Sequence, residues 1–158
     1  MESVKNIRER LGSDWLPDLY SEQIRPLRTR SFKMDIPPRE HSPMIIETLL
    51  GNEIQVGRTR IFCPDKATAR YLVVFAGLGC RDIAVPYDIT KLALYAEMLE
   101  RAWEHTNHEI VVETEAMSPQ KRGRVRAAVI RSIRDEIARI GAGDAMPLFD
   151  RSTRQRKN

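Results

Sequence analysis

Three groups of residues in this chain have types and spacings suited to chemistry. The first is Cys63-Pro64-Asp65, followed further on by Pro86-Tyr87-Asp88. A thiol at a helix start can have its pKa lowered, because the positive end of the helix dipole favours the thiolate. Cys63 is the plausible nucleophile, with Asp65 as the local base and no histidine close by in sequence. The competing reading is a small hydrophobe buried at a strand end. Cys80 is badly placed to resolve a disulfide with Cys63. The helix expected between them spans roughly 20 Å, whereas a disulfide needs Cα atoms within about 7 Å.

The second group is His105 and His108, three residues apart and flanked by Glu104 and Glu109. A histidine pair at i, i+3 can reach one metal ion, but no further Cys or His stands at matching spacing. No metal site and no cofactor is expected. The third group is basic. Lys121, Arg122, Arg124, Arg126, Arg131, Arg134 and Arg139 precede Arg151, Arg154, Arg156 and Lys157. Projected on a helix, Arg124, Arg131 and Arg139 lie away from the apolar stripe. With the tail arginines Arg151, Arg154 and Arg156 they form a candidate phosphate-binding set. The competing reading is a solvated face that pairs with the acidic residues of 97–115.

Familiar site motifs are missing. Gly77-Leu78-Gly79 follows a helix, whereas a dinucleotide-binding loop follows a strand and opens a helix. The chain contains no P-loop, no Gly-x-Ser-x-Gly elbow and no paired-cysteine zinc pattern.

The elements that must position these groups follow from periodicity and punctuation. Residues 3–11 read as a short amphipathic helix capped by Ser3, with Val4, Ile7 and Leu11 on one face and Gly12 at its end. Between Gly12 and Pro43 stand five of the nine prolines, which exclude long helices and central strands. The same segment holds Trp15, Leu16, Leu19, Tyr20, Ile24, Leu27, Phe32, Met34 and Ile36, too much apolar material for a free linker. It reads as an arm that lies on the domain or on a partner. Ser42-Pro43 should open a short helix that Gly51 stops. Glu53–Phe62 reads as a β-hairpin around a Gly57-Arg58 turn of type II′, pairing Val56 with Thr59 and Ile54 with Ile61.

Beyond the hairpin, helices are expected over roughly 65–77, from Asp88 or Thr90 to Thr106, and from Ser118-Pro119 to Ile140. Strands are expected at 82–85 and 109–114. The last helix carries Val125, Val129, Ile133, Ile137 and Ile140 at helical spacing. This order implies an α/β domain with a small mixed or parallel sheet, with α+β as the alternative. The expected layout is an arm over 1–43, a domain over 44–149 and a basic tail over 150–158. Parallel strands would bring Cys63, Asp65, Tyr87 and Asp88 to one carboxyl edge, where open α/β sheets bind ligands.

The chain has 158 residues, enough for one domain that needs no disulfide or metal staple. Net charge is +4, and Arg supplies 20 of the 26 basic groups. Residues 87–118 carry 2 basic and 7 acidic groups, whereas residues 119–158 carry 11 and 4. Opposed blocks of this kind pair within a fold or present two faces to partners. Two cysteines, no apolar run long enough to cross a bilayer and no secretory signal point to a soluble cytoplasmic protein without a membrane partner.

Three functions follow in order. The first is a non-enzymatic protein-interaction or assembly-accessory module, which meets another protein or a second copy through residues 13–41. The second is a nucleic-acid-binding accessory using the basic helix and tail. The third is a small-ligand binder or thiol enzyme at the Cys63 edge.

Overall fold

The computed structural model describes residues 1–143. Helix α1 (Glu2–Leu11) opens the chain and stops at Gly12, with φ 55°. Ser3 lies inside the helix rather than capping it. A tight turn leads into α2 (Leu16–Leu19), which widens into a π-type turn closed by the Arg25 N–H donating to the Tyr20 carbonyl. Strand β1 (Thr29–Lys33) follows, then β2 (Met44–Thr48), β3 (Gly51–Val56) and β4 (Thr59–Cys63). The remaining elements are α3 (Lys66–Leu78), β5 (Asp82–Pro86), α4 (Ile89–Thr114) and α5 (Pro119–Ile140).

The fold is of mixed α/β class, with the expected hairpin and long C-terminal helix. Its described strands all pair antiparallel, in two small sheets: β1 with β5, and β2-β3-β4 in that order. The β3–β4 register pairs Val56 with Thr59 and Ile54 with Ile61. Gly57 takes φ 59° while Arg58 stays at negative φ, as a type II′ turn requires. Helix α3 ends at Gly79, with φ 78°. A Cβ on Gly79 would meet the Arg39 backbone within 2.3 Å, so this position also lets residues 37–41 cross the helix end closely. The His41 N–H then donates to the Gly77 carbonyl at 2.9 Å.

Two expected elements are replaced. Residues 109–114 form no strand; they are the last turns of α4. Burial there recurs at Thr106, Ile110 and Thr114, a four-residue spacing, while Val111 and Val112 are exposed. The Thr106 and Thr114 hydroxyls donate back to the Ala102 and Ile110 carbonyls. Arg10 of α1 holds Glu109 and Glu113, one helical turn apart. Tertiary packing against α1 thus outweighs the strand preference of Ile-Val-Val. Pro43–Gly51 likewise forms β2 and a turn, not a helix, because Ile45 faces Ile54 in the ladder and Ile45-Ile46 suits a pleated surface.

Residues 1–43 share a single hydrophobic core with the rest of the chain. Ile7, Leu11, Trp15, Leu16, Leu19, Tyr20, Ile24, Met34 and Ile36 are all buried in it. Trp15 Nε1 donates to Glu136 of α5 at 3.1 Å, and the Arg8 guanidinium stacks 5.3 Å from the indole centroid. The Tyr20 hydroxyl donates to the Gly141 carbonyl at 2.8 Å and accepts from the Ala84 N–H at 3.0 Å. The apolar residues of 13–41 that were expected to meet a partner are therefore largely used within the chain. The boundary at 43/44 is no packing boundary, since β1 pairs with β5 across it. Residues 150–158, with Arg151, Arg154 and Arg156, lie outside the described residues.

Candidate functional site

The expected ligand edge is not assembled as a sheet edge. Cys63 ends β4 in the three-stranded sheet, and Tyr87 and Asp88 follow β5 in the other. Cys63 is completely buried, and its Sγ lies 3.8 Å from the Ile61 carbonyl. Burial pushes its thiol up to about 11, with the Asp65 carboxylate adding to the shift. That is the reverse of an activated thiolate. Cys80 is buried as well and is pushed up to about 12 by desolvation. Asp65 caps α3, accepting from the Thr68 N–H at 2.7 Å. Asp88 caps α4, accepting from the Thr90 hydroxyl at 2.6 Å and the Thr90 N–H at 2.9 Å, and these bonds hold its carboxyl below the usual range. Tyr87 is exposed, with the Arg28 guanidinium 5.3 Å from its ring centroid.

Of the expected histidine pair, His105 is engaged and His108 is exposed. His105 Nδ1 lies 2.8 Å from Asp14 Oδ2, and its Nε2 lies 3.8 Å from Glu109. Among the described residues no three His, Cys, Asp or Glu side chains are grouped to hold a metal ion. No described helix is long and apolar enough to cross a membrane.

The surface that does stand out is the β2–β3 hairpin. Its turn is tied by Thr48, whose hydroxyl donates to the Gly51 carbonyl and accepts from the Leu50 N–H, both at 3.2 Å. The two residues at the tip then point away from the protein. Leu49 is fully exposed and Leu50 is 85% exposed. Strand alternation divides the sheet below them. Ile54, Val56, Ile61 and Cys63 face the core. Met44, Ile46, Glu53, Gln55, Arg60 and Phe62 share the opposite face. Of these, Met44 is 61% and Phe62 54% exposed. The Phe62 ring leans over Gly51, where a Cβ would come within 3.3 Å of it. The outer face is mixed: Phe62 on β4 and Met44 on β2 lie on either side of Glu53 and Gln55 of β3.

One acid on that face makes only a long ion pair. Glu53 Oε1 is shielded from solvent and accepts no hydrogen bond among the described residues; Arg60 Nε stands 4.0 Å away. Strand β2 also lies at an edge of its sheet, with a free backbone side. Sequence reading missed this surface because it placed Leu49 and Leu50 at the end of a helix. The available signal was the β-branched pair Ile45-Ile46 ahead of two consecutive leucines and Gly51.

The basic residues of α5 divide into two sets. Arg126 and Arg134 turn inward: Arg126 makes a two-pronged pair with Glu40 and reaches Asn107, and Arg134 donates to the Leu78 carbonyl. Lys121, Arg122, Arg124, Arg131 and Arg139 are exposed. They make no ion pair among the described residues, so the expected pairing with the acids of 97–115 does not form. Three of those acids are engaged elsewhere: Arg70 of α3 takes Glu100, and Arg10 of α1 takes Glu109 and Glu113. Compared with protein-family models, curated proteins and solved structures, the chain matches none of them.

Proposed function

We propose that this chain is a non-enzymatic protein-interaction module that acts within a soluble intracellular assembly. The observation carrying this reading is the pair of exposed leucines at the hairpin tip, with Phe62 and Met44 also exposed on the outer face of the same sheet. Burying one leucine stabilises an interface by about 1.5–3 kcal/mol, and apolar surface left uncovered by the fold marks an interaction site. The partner we infer is another protein with an apolar cleft and a basic or hydrogen-bond-donating rim. Glu47, which flanks the tip, is exposed. Two buried thiols held protonated and two aspartates acting as helix caps weigh against thiol chemistry at Cys63. Unpaired cysteines suit a reducing interior.

The test is a double variant, Leu49→Ser with Leu50→Ser, in the full chain. Its unfolding midpoint should match the wild type, while a tagged copy recovered from its native host loses the protein that the wild type retains. Retention of the same partner by the folded variant would reject the hairpin as the anchor. Sedimentation velocity of the purified wild type distinguishes a second copy: a dimer that the double variant abolishes would make the partner this chain itself.

A further inference from the structure

We infer that the outward face of α5 binds the phosphate backbone of double-stranded nucleic acid, without reading its sequence. The inference is independent of the hairpin. Lys121, Arg124, Arg131 and Arg139 are all exposed. At 100° per residue they fall within an arc of about 80°, and they run along roughly 27 Å of helix. The opposite side of α5 is fixed in the core by Val125, Val129, Ile133 and Ile137. The cationic face is therefore presented rigidly.

Three observations select the ligand. These side chains have no acidic partner among the described residues, whereas arginines on α1 and α3 pair with Glu100, Glu109 and Glu113 of α4. Their charge is thus not neutralised within the described residues. Successive arginines are spaced about 10–12 Å along the axis, within reach of phosphates along a duplex backbone or across a groove. Between them lie Ala128 and Ala138, with no Trp, Phe or Leu on that face. An interfacial membrane helix needs such apolar residues, and single-stranded nucleic acid needs aromatic platforms for its bases. A regular duplex needs neither. Lys5 and Arg8 of α1 line the same groove as Arg131, a space of about 460 Å³, although Arg8 is already paired with Glu136. Asp135 is the one acid on this face and lies between Arg131 and Arg139.

The experiment is fluorescence anisotropy of the full chain with a labelled 20-base-pair duplex of arbitrary sequence, from 50 to 200 mM salt. Each phosphate contact contributes about −0.9 to the slope of log K against log salt. The variant Arg124→Gln/Arg131→Gln/Arg139→Gln should therefore flatten the slope by about 2.7 relative to wild type, with an unchanged circular dichroism spectrum. Asp135→Lys should tighten binding and steepen the slope by about 0.9. An unchanged slope in the folded triple variant would overturn the inference, because the contact would then lie elsewhere, the tail arginines included. Two other results would also overturn it: no duplex binding at 50 mM salt, or displacement of the duplex by phosphatidylserine vesicles at equal phosphate.

Discussion

Residues 13–41 and the β2–β3 hairpin invite the same first reading, since each is a short apolar segment outside the long helices. Their fates are opposite. Trp15, Leu16, Tyr20, Ile24, Met34 and Ile36 find places inside the chain, and the polar ends of Trp15 and Tyr20 find partners on α5, β5 and the segment after α5. Leu49, Leu50, Phe62 and Met44 find none. Apolar content alone does not mark an interaction surface. What marks it is apolar surface the chain leaves uncovered.

Substitution should separate the two regions sharply. Trp15→Ala removes the largest buried side chain of the first segment and a donor to Glu136, so it should lower unfolding free energy by about 3–5 kcal/mol. Urea titration followed by circular dichroism measures this, and a change under 1 kcal/mol would break the contrast. Tyr20→Phe is subtler. It leaves the buried Ala84 N–H without an acceptor, which should cost about 1–3 kcal/mol in the same assay.

Alkali should also report on the core. Burial raises Cys63 to about 11, Cys80 to about 12 and Tyr20 to about 12. Each raised group favours its protonated form in the folded state, while the unfolded chain ionises near the ordinary values of 9.0 and 10.0. Their contribution to stability is therefore complete below about pH 9 and is lost as pH climbs from there towards 11 and beyond. The unfolding midpoint should stay level from pH 7 to 8.5 and then fall, and Cys63→Ala with Cys80→Ala should soften that fall. Within the folded protein, both thiols should resist iodoacetamide at pH 8. The smallest expected effect is at the hairpin tip, where Leu49→Ser and Leu50→Ser should each change stability by no more than about 0.5 kcal/mol.

Much of this architecture was legible in the sequence because local chemistry and tertiary packing agree. Gly57-Arg58 sets the β3–β4 register, Asp65 and Gly79 bound α3, and Pro119 and Gly141 bound α5. Where they disagree, packing prevails. Ile110-Val111-Val112 has strand chemistry, yet Arg10 reaches Glu109 and Glu113 only if they lie one helical turn apart. The hairpin tip was hidden for a related reason. A leucine pair before a glycine looks like a helix end until Ile45 is seen opposite Ile54. The exposed arginines on α5 were visible from periodicity, but that they remain unpaired depends on which side chains reach α4 from α1 and α3.

The most direct test of the central claim is photo-crosslinking from the hairpin tip. A benzophenone amino acid placed at position 49 of the full chain, expressed in its native host and irradiated, should yield one discrete protein adduct. The same group at exposed Leu94 on α4 should not yield that adduct. No adduct from position 49, or the same adduct from both positions, would contradict the assignment of the hairpin as the docking anchor.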